Sequence, residues 1–129
     1  MKRISMAFLL CFVMSGALFA QMKPEAKFKK NVHDFGSIKE EVEVAVSSFE
    51  FTNIGKSPVI IQRVTASCGC TSPTYTREPV LPGKKGEVKV AYHTTHRPGS
   101  FYKNIRVYTN VPDTVYTLSV QGNVIPKKR

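Results

Sequence analysis

The chain has 129 residues, 42% of them hydrophobic, and 19 Lys and Arg against 9 Asp and Glu give a formal charge of +10. That length accommodates one ordinary hydrophobic core and excludes two. A basic balance admits nucleic acid, anionic lipid or an acidic polymer as partner. No basic block of the kind that marks a nucleic-acid patch stands inside the chain, so the charge is read as solubility spread over exposed faces and both ends.

The N-terminus has the order of a secretory signal peptide. Lys2 and Arg3 are followed by the apolar run Met6–Met14, then by Ser15, Gly16 and Ala17, with Ala20 as the cleavage point before Gln21. The run is shorter than the roughly 20 apolar residues of a membrane span, so cleavage and no stable membrane span are expected. Cys11 lies inside the apolar core behind Leu10, not at its small-residue end, and is assigned to the discarded segment. The expected organisation is a signal peptide over 1–20, a flexible leader over 21–27, one domain over 28–125 and a basic tail over 126–129.

After residue 21 the periodicity is two, punctuated by turn residues at short intervals, as in an antiparallel sandwich or barrel. A first strand is expected over Phe28–Phe35, closed by Gly36. A second runs over Val42–Asn53. Its apolar phase shifts from even positions (Val42, Val44, Val46) to odd ones (Phe49, Phe51), which predicts a bulge or a crossover at Ser47-Ser48. Asn53–Pro58 forms a turn. A third strand spans Val59–Ala66 with Ile60, Val64 and Ala66 in phase.

Pro73, Pro79 and Pro82 keep the next stretch out of a central position and leave room for a short edge strand near Tyr75. Gly86–Tyr92 alternates cleanly. Beyond Pro98-Gly99, Phe101, Ile105 and Val107 share one face with Lys103, opposite Tyr102, Asn104, Arg106 and Tyr108. Tyr116, Leu118 and Val120 form the apolar face of the last strand. About seven antiparallel strands in one all-β domain indicate a single immunoglobulin-like β-sandwich, without the Cys…Trp…Cys set of antibody domains.

One constellation stands out: Ser67-Cys68-Gly69-Cys70-Thr71. Three readings of its cysteines stay open. Exported cysteines in an even number pair, which suggests a disulfide. In an extended strand the two Cα atoms would lie roughly 6.5–7 Å apart, at the far end of the range a disulfide accepts, so Gly69 must bend the chain. Alternatively the two thiolates hold a soft ion, with His93 and His96 as weak additional ligands. In the third reading both are small buried packing residues.

Catalysis has little support. Glu40, Glu41, Glu43 and Glu50 are expected to be a solvated face. A Cys nucleophile with His33, His93 or His96 as base has nothing in the sequence to bring its members together. No phosphate-binding glycine loop is present, and no cofactor is expected. The candidate binding surface comprises Thr71, His93, His96 and Arg97 around the cysteine loop, with Tyr102, Arg106 and Tyr108 on one strand face.

Taken together, Asp34-Phe-Gly36, Phe49-Glu-Phe-Thr-Asn-Ile-Gly55, Ser67-Cys-Gly-Cys-Thr71, Pro82-Gly83, Arg97-Pro-Gly99, Tyr108-Thr-Asn110 and Val120-Gln-Gly122 resemble the bacterial domain-of-unknown-function family 1573 over about residues 28–124. That family is common in Bacteroidetes, Verrucomicrobia and Planctomycetes. The resemblance implies a sandwich similar to the Hydin-type domains of eukaryotic cilia and centrosome proteins, and an envelope or extracellular location in a Gram-negative bacterium. It implies no settled activity. His93 and His96 flank a Thr-Thr where the family is expected to carry other polar residues, which counts against family-wide metal ligands. The expected function is a non-enzymatic binding or assembly module of the cell envelope, with an envelope or extracellular protein as partner and no nucleic acid. The rival is a thiol-redox or soft-metal protein using Cys68 and Cys70.

Overall fold

The computed structural model describes residues 22–128; the signal-peptide and Cys11 expectations lie outside them. Eight strands form two four-stranded sheets among these residues. Strands β1 (Ala26–Phe28), β3 (Val44–Asn53), β6 (Lys85–His93) and β5 (Thr71–Tyr75) build the first, in the order β1-β3-β6-β5. Strands β2 (Val32–Lys39), β8 (Val115–Ile125), β7 (Gly99–Thr109) and β4 (Ile61–Ala66) build the second, in the order β2-β8-β7-β4. All neighbours are antiparallel except β2 and β8. The result is an immunoglobulin-like sandwich of eight strands instead of about seven.

The additional strand comes from the first expected one. Phe28–Phe35 is not continuous: β1 pairs with β3, the chain changes sheets across Lys29–Asn31, and β2 pairs with β8. No Gly or Pro marks this crossing, which is why periodicity alone missed it. The sandwich also begins earlier than residue 28, since Ala26 is buried in β1.

The bulge expected at Ser47-Ser48 is absent. β3 pairs with β6 in unbroken register from Val44↔His93 to Thr52↔Lys85. The inward positions are Ala45, Ser47, Phe49, Phe51 and Asn53, while Val44 and Val46 face outward, Val46 at 59% exposure. Two small residues, Ala45 and Ser47, hold inner positions while valines occupy the outer face, so the apolar phase misled. Val42 belongs to a single 3-10 turn, Glu40–Val42, ahead of the strand. Within that turn Glu40 is buried, which corrects the expectation that all four acids are solvated.

The third expected strand needs a phase correction too. Val59 and Ile61 are buried and Ile60 is exposed, because β4 changes register between Ile61 and Arg63. The edge strand near Tyr75 is β5, β6 and β7 alternate as expected, and β8 keeps Leu118 and Val120 inward but buries Ser119 between them as well.

The core lies between the sheets: Phe49, Phe51, Val88 and Val90 meet Ile105, Val107, Leu118 and Val120. Each such side chain contributes about 1.5–3 kcal/mol by leaving water. Aromatic groups close both ends. At one end Phe28 packs against Phe51 and Tyr116, ring centroids 5.2 and 5.3 Å away. At the other, Tyr92 stacks on Phe101 at 3.8 Å.

Candidate functional site

The Cys-Gly-Cys segment is the bridge by which the chain leaves β4 in one sheet for β5 in the other. The Ser67 amide still donates to the Asn104 carbonyl on β7, and the Thr71 amide turns back to the Cys68 carbonyl. This bend draws the Cys68 and Cys70 Cα atoms to 5.3 Å, and the two sulfurs are joined as a disulfide. The chain bends over residues 67–70, where the extended-strand geometry required it, and Gly69 takes part in this turn without a positive φ or a close neighbour that only glycine would allow. The two cysteines differ in access: Cys70 is only 1% exposed, whereas Cys68 is half-buried. The Cys70 amide donates to Cys68 Sγ at 3.2 Å. Thr71 Oγ1, itself buried, sits 3.9 Å from Cys68 Sγ and 3.6 Å from Cys70 Sγ.

His93 ends β6 beside this loop. Its amide donates to the Cys70 carbonyl, and its Nε2 lies 3.1 Å from Ser72 Oγ. His96 turns elsewhere: with φ of +58° it lines a concavity of about 260 Å³ with Glu40, Glu41, Glu43, Thr95 and Lys127. Cys68, Cys70, His93 and His96 therefore do not converge. Among the described residues no group of three or more His, Cys, Asp or Glu side chains is placed to hold a metal ion. His33, on β2, approaches Phe35 and accepts from Lys30 Nζ at 2.7 Å. Its pKa is lowered, first by burial and then by the Lys30 charge, with Asp34 opposing. Arg97 closes the turn after β6 by donating its amide to the Thr94 carbonyl. Burial raises the Tyr92 phenol above its ordinary value, and Arg97 partly opposes this.

Tyr102, Arg106 and Tyr108 share the outer face of β7, as their alternation required. Six residues of strand place Tyr102 and Tyr108 roughly 20 Å apart. Tyr102 is 56% exposed. The face extends across neighbours: Tyr102 pairs with Gln121, Arg106 with Thr117 and Thr65, Tyr108 with Val115 and Arg63. The Arg63 guanidinium stacks 4.2 Å from the Tyr108 ring centroid. Sequence reasoning missed Arg63, because only the β4–β7 register brings it there. Beside Tyr102 the face opens into a shallow concavity of about 410 Å³ lined by Asp34, Gly36, Ser37, Phe101, Gln121, Gly122 and Asn123.

Several residues in the sequence motifs hold the frame instead of a ligand. Buried Asn53 donates to the Ser57 and Val80 carbonyls and accepts from the Gly55 amide. Asn110 performs the same task for β4, donating to the Pro58 carbonyl and accepting from the Ile60 amide. Asp34 accepts from the Gly36 amide and from Gln121. These two bonds, the Gly36 one first, hold the Asp34 carboxyl below its ordinary pKa, with desolvation opposing and the His33 charge adding a small further lowering. Gly36 takes a φ of +67°, which a side chain disfavours. Gly122 lies so close to the Phe101 ring that a Cβ would meet it at 2.9 Å.

The fold defines an immunoglobulin-like domain, and the motifs now have places in it. The chain belongs to the family described as "Protein of unknown function (DUF1573)", whose model matches residues 26–124. No curated protein matches the sequence. Among solved structures, the chain is similar to a protein of unknown function from Porphyromonas gingivalis W83, at 17% identity and a TM-score of 0.69. The match covers 81% of this chain but 48% of that one, so the chain spans about half the length of that relative. It is also similar to the secreted serine protease VesC from Vibrio cholerae, at 11% identity and a TM-score of 0.55, over 85% of this chain and 25% of that one. A third likeness is to the YadV chaperone, at 11% identity and a TM-score of 0.51, over 80% of this chain and 52% of that one. At such identities the likeness is one of fold.

Proposed function

We propose that this protein is an exported, non-catalytic binding or assembly module of the bacterial cell envelope, periplasmic or secreted. Its partner is an envelope or extracellular protein, bound on the outer face of the β2-β8-β7-β4 sheet. The observation that carries this reading is the group formed by Tyr102, Arg106, Tyr108 and Arg63, with Tyr108 and Arg63 stacked, across adjacent strands of one sheet. Tyr and Arg are the residues enriched at interface centres, since each offers apolar area and a polar end together. A rigid sheet holds them at small entropic cost on binding. Export is supported by the basic start and apolar run of residues 2–14. The module reading is supported by solved chains in which the same fold is a quarter to a half of a longer protein, one of them a secreted protease.

The test is retention of partners from a solubilised envelope fraction by three immobilised proteins: wild type, the double variant Tyr102→Ala/Arg106→Ala, and Arg77→Ala. Arg77 stacks on Tyr75 at 4.2 Å, the same chemistry beside the opposite sheet. The expected result is a species retained by wild type and Arg77→Ala and lost from the double variant. Equal retention by all three removes this face as the interface. Retention that collapses with salt in every variant would instead favour an anionic polymer bound through the net charge.

A further inference from the structure

We propose that Cys68–Cys70 is a redox-active disulfide, reduced in the folded protein by a dithiol carried on another envelope protein, with Cys68 as the attacked sulfur and Cys70 as the leaving group. Three observations carry this. The bridge spans a single intervening residue. The entropy a cross-link removes from the unfolded chain grows with the logarithm of the loop it closes, so this one is at the weakest end of that scale and a purely structural role explains it poorly. Access is unequal, because Cys68 is half-buried while Cys70 is only 1% exposed. Donors also surround the sulfurs. The Cys70 amide points at Cys68 Sγ, and the buried Thr71 hydroxyl lies within reach of both. Hydrogen bonds to an ionised group are the stronger kind, so these donors favour a thiolate at either position.

The exchange follows from this geometry. A partner thiolate attacks Cys68 Sγ along the line of the disulfide. The Cys68–Cys70 bond breaks, and its electron pair leaves on Cys70 Sγ, where Thr71 Oγ1 donates to it and solvent later supplies a proton. A mixed disulfide now joins Cys68 to the partner. The partner's second thiol, deprotonated, attacks its own sulfur in that bond and expels Cys68 as a thiolate, toward which the Cys70 amide already points. Solvent then protonates Cys68 as well, so the domain has gained two electrons and two protons, while the partner dithiol has given up two electrons, released its two protons to solvent and become a disulfide. This chemistry lies at the sandwich end and is independent of the β7 partner face.

The probe is dithiothreitol, added to wild-type protein and quenched by alkylation, with intact mass as readout. The expected rate is first order in dithiol and flat across urea concentrations below the unfolding transition, because the attacked sulfur is reached without unfolding. A rate that climbs with urea along the unfolding equilibrium means that the bond opens only in the unfolded chain, and overturns the proposal. Single variants supply an independent test. With an aromatic disulfide reagent, the Cys68 thiol of Cys70→Ser is expected to react roughly tenfold or more faster than the Cys70 thiol of Cys68→Ser, since access governs thiol reactivity. Equal rates in two variants of native circular dichroism overturn the assignment of roles. Thr71→Val should slow the reduction of otherwise wild-type protein and shift its reduction potential, and Thr71→Ser should restore both. Potentials unchanged in Thr71→Val exclude Thr71 as a positioning residue.

Discussion

Asn53→Ala should be among the most damaging single changes outside the apolar core. Asn53 is buried at the end of β3, and its side chain makes three hydrogen bonds of 2.8–2.9 Å, to the Ser57 and Val80 carbonyls and from the Gly55 amide. The Val80 carbonyl keeps a second donor, the Val59 amide; the contacts to Ser57 and Gly55 have no replacement in the side chain of alanine. At about 1 kcal/mol per lost bond, the loss is about 3 kcal/mol. In a domain of this size each kcal/mol moves Tm by roughly 4–8 °C, so a fall of roughly 12–24 °C is expected by calorimetry or circular dichroism. Asn53→Asp discriminates the cause. It preserves shape but turns an acceptor oxygen toward two carbonyls, so it should be at least as unstable as Asn53→Ala. A loss below about 1 kcal/mol in Asn53→Ala, or an Asp variant clearly more stable than Ala, would refute the reasoning.

Other consequences are equally accessible. Val46→Thr should change urea stability by less than about 0.5 kcal/mol, as surface changes do, whereas Phe49→Ala should cost about 3–5 kcal/mol; a large loss at Val46 would restore the bulged reading of β3. Gly122→Ala should cost about 1–3 kcal/mol by overpacking against Phe101, measured by the same unfolding curves. The pH dependence has a defined sign at His33. Its folded pKa lies below the ordinary 6.5, so in the window between the two values the unfolded chain binds more protons and stability falls as pH drops from about 6.5 downward. Urea midpoints of wild type and His33→Asn at pH 7.5 and pH 5 should diverge at the acid end, with the variant less sensitive; parallel curves would contradict the assignment.

How much of this was legible beforehand depended on side-chain size. β6 and β7 carry large apolar residues inward at alternate positions, and alternation alone placed them; in β8 it placed Leu118 and Val120 but not the buried Ser119 between them. β3 hid its inward face because Ala45 and Ser47 are small and Ser47 is polar, while Val44 and Val46 are apolar yet exposed. The β1–β2 sheet change left no mark because it uses Lys29–Asn31 and not a glycine or proline. The site divided in the same way. Tyr102, Arg106 and Tyr108 were found through strand phase, and Cys68 and Cys70 through spacing. Arg63 came only from a pairing between distant strands, and the separation of His96 from the cysteines only from the turn at Thr94–Gly99. Buried Glu40 was unreadable, since nothing in a run of glutamates signals which one turns inward.

The most direct measurement is site-specific photocrosslinking in growing cells. A photoreactive residue is placed at Tyr102, at Arg106 or, as control, at Tyr75 on the other sheet. The expected result is one protein adduct shared by positions 102 and 106, absent at 75, and recovered in the envelope or extracellular fraction. Adducts equally abundant at all three positions, or adducts only in the cytoplasmic fraction, would contradict the reading of this chain as an exported module that binds through its β7 face.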